Sequence, residues 1–75
     1  MKATEAVRQV MESTGTTLST LSRRLGKRPQ VVWDRLSQDN ISVAKLNEML
    51  RTMDYKVVIV PSGVRMGNDA WIEIE

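Results

Sequence analysis

The 75-residue chain contains no cysteine, no histidine and no phenylalanine, and only two Trp and one Tyr. Without cysteine, no disulfide can staple the fold. Without cysteine and histidine, the usual zinc ligand sets are excluded. So are the common nucleophile and base pairs of covalent catalysis. Nine acidic residues remain, but they are scattered, and so short a chain has little room for an enclosing cleft. The expectation is a protein that is not an enzyme and carries no cofactor and no metal. No apolar run approaches the roughly 18 residues that span a bilayer. The opening MKATEAVRQVMEST has no continuous apolar segment and does not read as a signal peptide. A cytoplasmic protein without membrane contact is expected.

What is present is one small domain. A chain of this size buries only about 60% of its unfolded surface. Small domains without staples often oligomerise, so a homodimer is expected. The net charge is +2, unevenly spread. Residues 1–51 hold nine Lys or Arg against five Asp or Glu, and residues 52–75 hold two against four. Within 23–35, Arg23, Arg24, Lys27, Arg28 and Arg35 face one acid, Asp34. A local basic patch on a mildly basic chain points to a polyanionic partner. A solvated helix face is the plain alternative.

Periodicity divides the chain into four helices and two strands. Ala3, Ala6, Val7, Val10 and Met11 recur at helical spacing, predicting a helix over 2–13 that Gly15 ends. Thr17 suits the N-cap of a second helix carrying Leu18, Leu21 and Leu25, and Gly26 stops it. Pro29 suits the first turn of a third helix, to about Gln38, with Val32 and Leu36 on one face. Ser42 caps a fourth, flanked by the staple pair Ile41 and Leu46. Its apolar stripe runs Val43, Leu46, Met49, Leu50, Met53. YKVVIV at 55–60 is β-branched and reads as a strand. AWIEIE at 70–75 alternates and reads as a half-buried strand, with Ala70, Ile72 and Ile74 set against Trp71, Glu73 and Glu75.

Two short helices around one glycine form a helix-turn-helix unit. Its sterics require a small residue where the helices cross, and Ser22 stands there. They require a turn residue free to take positive φ, and Gly26 stands there. Leu21, Leu25, Val32 and Leu36 are spaced to lock the pair. The run LSTLSRRLGKRPQVVWDRL, followed by NISVAKLNEMLRTMDYKVVIV, resembles the lambda-repressor-like (Xre/Cro) helix-turn-helix family of small bacterial and phage regulators. The resemblance covers about residues 4–60. It departs from the family pattern at three positions. Ser22 stands where Ala is usual, Lys27 where the turn is often apolar, and Arg28 where Ser or Thr would cap the third helix. The missing cap costs about 1 kcal/mol, unless a phosphate occupies that helix end in a complex.

The resemblance implies a compact bundle of four or five helices and says nothing of the final 15 residues; with the two strands read from the pattern, the expected fold is mainly α, a bundle of four helices over 1–54 with a C-terminal β-hairpin over 55–75. The resemblance also implies sequence-specific binding of double-stranded DNA, with the helix at about 29–38 in the major groove, by a dimer acting as a transcriptional repressor. Base contacts are then expected from Gln30, Val31, Asp34 and Arg28. Gln30 is suited to adenine. Val31 is open between a thymine methyl and the core rim. Asp34 either accepts from cytosine or, preferably, pairs with Lys27, Arg28 or a neighbouring helix. Phosphate contacts are expected from Thr17, Ser19, Arg23, Arg24, Lys27, Arg35 and Ser37. Trp33 is expected over the core edge against the fourth helix, with the sugar–phosphate backbone as its alternative. Apolar residues of the hairpin, among them Val58, Val60, Trp71 and Ile72, exceed what one sheet face can bury and are expected to form the dimer interface. The alternative to a repressor is an antitoxin that binds a protein partner through the C-terminal segment.

Overall fold

The computed structural model describes residues 1–62 and 71–74. Helix α1 spans Ala3–Thr14 and ends at Gly15, whose φ of 67° lets the Thr16 N–H reach back to the Met11 carbonyl. Helix α2 spans Leu18–Leu25; the Thr17 hydroxyl accepts from the Thr20 N–H at 3.1 Å and starts it. Gly26, at φ 66°, ends it, and the Lys27 N–H closes onto the Ser22 carbonyl at 3.0 Å. This left-handed closure is the common glycine exit from a helix. Helix α3 spans Pro29–Leu36, two residues shorter than the pattern predicted, because Ser37 caps it and Gln38 turns away. Helix α4 spans Val43–Arg51 and starts where Ser42 Oγ accepts from the Lys45 N–H at 3.2 Å. Asp54 leaves it at φ 62°, a region in which Asp is more at home than most residues with a Cβ.

Each helix contributes one apolar stripe to a shared core. Val7 of α1, Leu21 of α2, Val32 and Leu36 of α3, and Met49 and Leu50 of α4 are buried, with Met53 just beyond α4. Ile41 and Leu46 pack at its margin, as a hydrophobic staple requires. Val43 does not join the stripe; it is about half exposed, because it lies in the first turn of α4 on the solvent side. Where α2 meets α3, Ser22 is only 2% exposed and its hydroxyl donates to the Leu18 carbonyl at 2.7 Å. A serine is thus tolerated at a close crossing because its polar atom is satisfied within its own helix.

The end of α3 is held by α1. Thr4 Oγ1 donates to the Gln38 carbonyl at 2.8 Å, and Arg8 donates to the Leu36 carbonyl at 3.0 Å. Lys2 pairs with Asp39 at 3.1 Å. Carbonyls that a helix end leaves without intrahelical partners are in this way satisfied from a different element.

Strands β1 (Val57–Ile59) and β2 (Ile72–Ile74) pair antiparallel, with Val57 opposite Ile74, Val58 opposite Glu73, and Ile59 opposite Ile72. They are shorter than the expected 55–60 and 70–75; the stretch GVRMGND at 63–69, expected as a loop, and Ala70 and Glu75 of the expected second strand lie outside the described residues. Buried Asn47 of α4 joins both strands to the bundle. Its amide donates to the Ile74 carbonyl at 2.8 Å and accepts from the Val57 N–H at 3.4 Å. Val57 packs on the core. The next pair on that face, Ile59 and Ile72, is 53% and 62% exposed. Two residues along a strand is roughly 6.8 Å, enough to carry this pair beyond the end of the bundle. The expected half-burial of Ile72 therefore fails, while Ile74 keeps it. Among the described residues, no helix is long and apolar enough to cross a membrane.

Candidate nucleic-acid interface

Val32 and Leu36 turn one face of α3 into the core, so the opposite face is left to solvent. Gln30, Val31 and Asp34 all lie on it and are exposed. Val31 is 43% exposed, which takes it out of the core rim. Gln30 Nε2 donates to Asp34 Oδ1 at 3.0 Å, one helical turn away. Asp34 is therefore paired, but with Gln30 rather than with Lys27, Arg28 or another helix. Arg28 forms the N-cap of α3 without a side-chain capping bond and is exposed.

The basic residues separate into two sets. Among the described residues, Lys2, Arg35, Arg51 and Lys56 are in ion pairs, and the other six Lys and Arg are not. Four of those six, Arg23, Arg24, Lys27 and Arg28, lie in one stretch across the α2–α3 turn. Arg23 and Arg28 are exposed, Lys27 is half-buried, and Arg24 donates to the Thr52 carbonyl at the end of α4 at 3.0 Å. At the start of α2, Thr17 serves as cap and Ser19 is exposed. Ser37 is exposed at the end of α3, with its hydroxyl bonded to the Trp33 carbonyl at 2.8 Å.

Arg35 does not belong with this set. Its guanidinium donates to Glu48 of α4 at 2.7 Å, and its side chain is 11% exposed. The bond from Arg35, with the charges of Arg35, Lys27 and Lys45, holds the Glu48 carboxyl below its ordinary range, against the opposing effect of partial burial. Arg35 thus ties α3 to α4, and its expected phosphate role does not fit this position. Trp33 also departs from expectation. It is 48% exposed and lies against α1, with the Arg8 guanidinium 5.4 Å from its ring centre, an arrangement worth about 0.5–1 kcal/mol at an exposed site. Arg8 escaped the sequence reading because nothing local shows that α1 begins beside the C-terminus of α3.

The hairpin residues expected at a dimer interface do not share one face. Alternation puts Val58 with Glu73, and Ile72 with Ile59. Val58 and Trp71 line a cleft of about 600 Å³ together with Arg51, Asp54, Tyr55 and Lys56. Glu73 takes up the charge of Lys56 at 3.0 Å and of Arg51 at 3.7 Å. The Lys56 bond and charge, then Arg51, draw its carboxyl below the ordinary range, against a small desolvation effect. Val60 is 40% exposed. Ile59 is the direct cross-strand neighbour of Ile72 and, like it, exposed.

No known family, curated protein or solved structure matches this chain.

Proposed function

We propose that the protein binds double-stranded DNA through the exposed face of α3, as a lambda-repressor-like helix-turn-helix bundle and a transcriptional repressor. One observation carries the reading. Cations elsewhere in the chain are mostly neutralised by carboxylates, whereas those around the α2–α3 turn are left without ion pairs among the described residues. They flank a helix face that presents an amide, an aliphatic side chain and a carboxylate to solvent. Arg23, Lys27 and Arg28 supply phosphate contacts, and the uncapped start of α3 favours an anion nearby. Arg24 spends one of its five N–H donors on the Thr52 carbonyl and keeps the others for phosphate. Gln30 and Val31 read base edges, with Gln30 directed to adenine and Val31 to a thymine methyl. Thr17 and Ser19 approach the backbone from α2. Binding rather than catalysis is the activity proposed.

Ile59 and Ile72 support a second part of the reading. They prolong the core-facing side of the sheet past the bundle, so another apolar surface is needed to cover them. A second copy of the chain is the proposed occupant, which would place two α3 helices on one duplex. An antitoxin-like protein partner at the same surface is the alternative. Sedimentation showing only monomer would remove the dimer but leave the α3 reading in place.

Selection from random duplex DNA at about 150 mM salt tests the proposal, since affinity is salt-dependent. An enriched site is expected, as an inverted repeat with half-sites about one helical turn apart if the dimer forms. No enrichment, with only weak salt-sensitive binding, would refute sequence-specific recognition.

A further inference from the structure

A carboxylate on a DNA-facing helix is unexpected, because phosphates repel it. Asp34 nevertheless lies on the exposed face of α3, four residues after Gln30, and accepts from Gln30 Nε2 at 3.0 Å. The chemistry of the pair fixes its sense. An ionised carboxylate only accepts hydrogen bonds, so the amide must turn its nitrogen to Asp34 and its oxygen away. One of the two N–H bonds of Gln30 is then spent. What remains for a partner is one N–H donor beside one carbonyl acceptor.

We infer that Asp34 is a specificity-determining positioning residue, which orients the Gln30 amide to read adenine and to reject guanine. The inference rests on the DNA-binding reading above. Adenine presents an acceptor, N7, beside a donor, the N6 amine, whereas guanine presents two acceptors, N7 and O6. An amide left with one donor and one acceptor matches the first pattern. A freely rotating amide can instead turn its NH₂ group towards the two acceptors of guanine. Asp34 gives up overall affinity through its charge and gains discrimination through its neighbour. Repulsive elements of this kind are a recurrent source of specificity.

The test has one arm without DNA and one with it. In the free protein, Asp34→Ala is expected to shift the Gln30 side-chain amide signals in a nitrogen–proton spectrum while helicity is unchanged. With a duplex selected by the wild-type protein, replacing the adenine read by Gln30 with guanine should weaken wild-type binding roughly tenfold or more, as one bidentate pair implies. For Asp34→Ala the same replacement should cost less than about threefold, a remnant of that same contact, and binding to unrelated duplex should strengthen. In a Gln30→Ala background, Asp34→Ala should change discrimination no further, which a general structural role would not produce. Undiminished discrimination in Asp34→Ala, or equal losses in both backgrounds, would overturn the inference and leave DNA binding standing. If the wild-type protein selects no sequence, the DNA reading fails and the inference with it. A Gln30 signal that still responds to Asp34→Ala would then show that the pair exists and that the reading was at fault.

Discussion

Removing the Asn47 side-chain amide should loosen the hairpin before the helices. Asn47 is 6% exposed and is bonded to both strands, donating to the Ile74 carbonyl at 2.8 Å and accepting from the Val57 N–H at 3.4 Å. A net bond of this kind is worth about 1 kcal/mol, the longer one less, and stranding its partners adds to the loss. Asn47→Ala should therefore cost about 2 kcal/mol. At about 4–8 °C per kcal/mol for a domain of this size, the melting temperature should fall by about 8–16 °C. Asn47→Asp keeps the acceptor for Val57 but turns an oxygen to the Ile74 carbonyl, so it should be no better than alanine. Thermal melts followed by circular dichroism measure the total. In a Trp33→Phe background, Trp71 is the only tryptophan, and its fluorescence reports the hairpin alone. A loss below about 0.5 kcal/mol, the low end for a single bond, would refute the reasoning, as would an Asn47→Asp protein as stable as wild type.

Other consequences follow from the same geometry. Gly26 has φ 66° and open space around the position of an added Cβ, so Gly26→Ala should cost about 1–2 kcal/mol from backbone strain alone, measurable by urea unfolding. The Glu48 carboxyl is held below its ordinary value of 4.5, mainly by the bond from Arg35. The stability this contributes is fully present above that value and is lost as pH falls through the lower folded value. Because Glu48 is half exposed, solvent screening limits the contribution to about 0.5 kcal/mol; in Glu48→Gln, the acid limb of a stability profile should flatten by that amount. Arg8→Ala should redshift Trp33 fluorescence and lower the melting temperature, since it frees the indole and leaves the Leu36 carbonyl without its donor.

Much of the fold is legible in the sequence because its boundaries are set locally. Thr17 and Ser42 cap helices, and Gly15 and Gly26 end them, through bonds that span three to five residues. Val32 and Leu36 mark the buried face of α3 for the same reason, and with it the exposed face. Contacts between elements are a different matter. Arg8 on Trp33, Arg35 on Glu48 and Asn47 between the strands join residues 25, 13 and 27 positions apart at the widest. No spacing rule reaches so far. The Gln30–Asp34 bond is an intermediate case: its spacing of four is the one at which helical side chains meet, yet Lys27 and Arg28 nearby offer Asp34 an opposite charge, which a charge argument ranks above a neutral amide. Ile72 shows the limit of alternation. The pattern places it correctly on the face of Ile74, but where the supporting helices end is a three-dimensional fact.

The most direct measurement of the central claim is a backbone nitrogen–proton shift map of the protein titrated with duplex DNA. Changes should concentrate at Thr17, Ser19, Arg23, Lys27, Arg28 and the stretch from Gln30 to Asp34, with the hairpin and the first half of α1 little affected. Changes centred on the sheet around Ile59 and Ile72, or no changes at all, would contradict that claim.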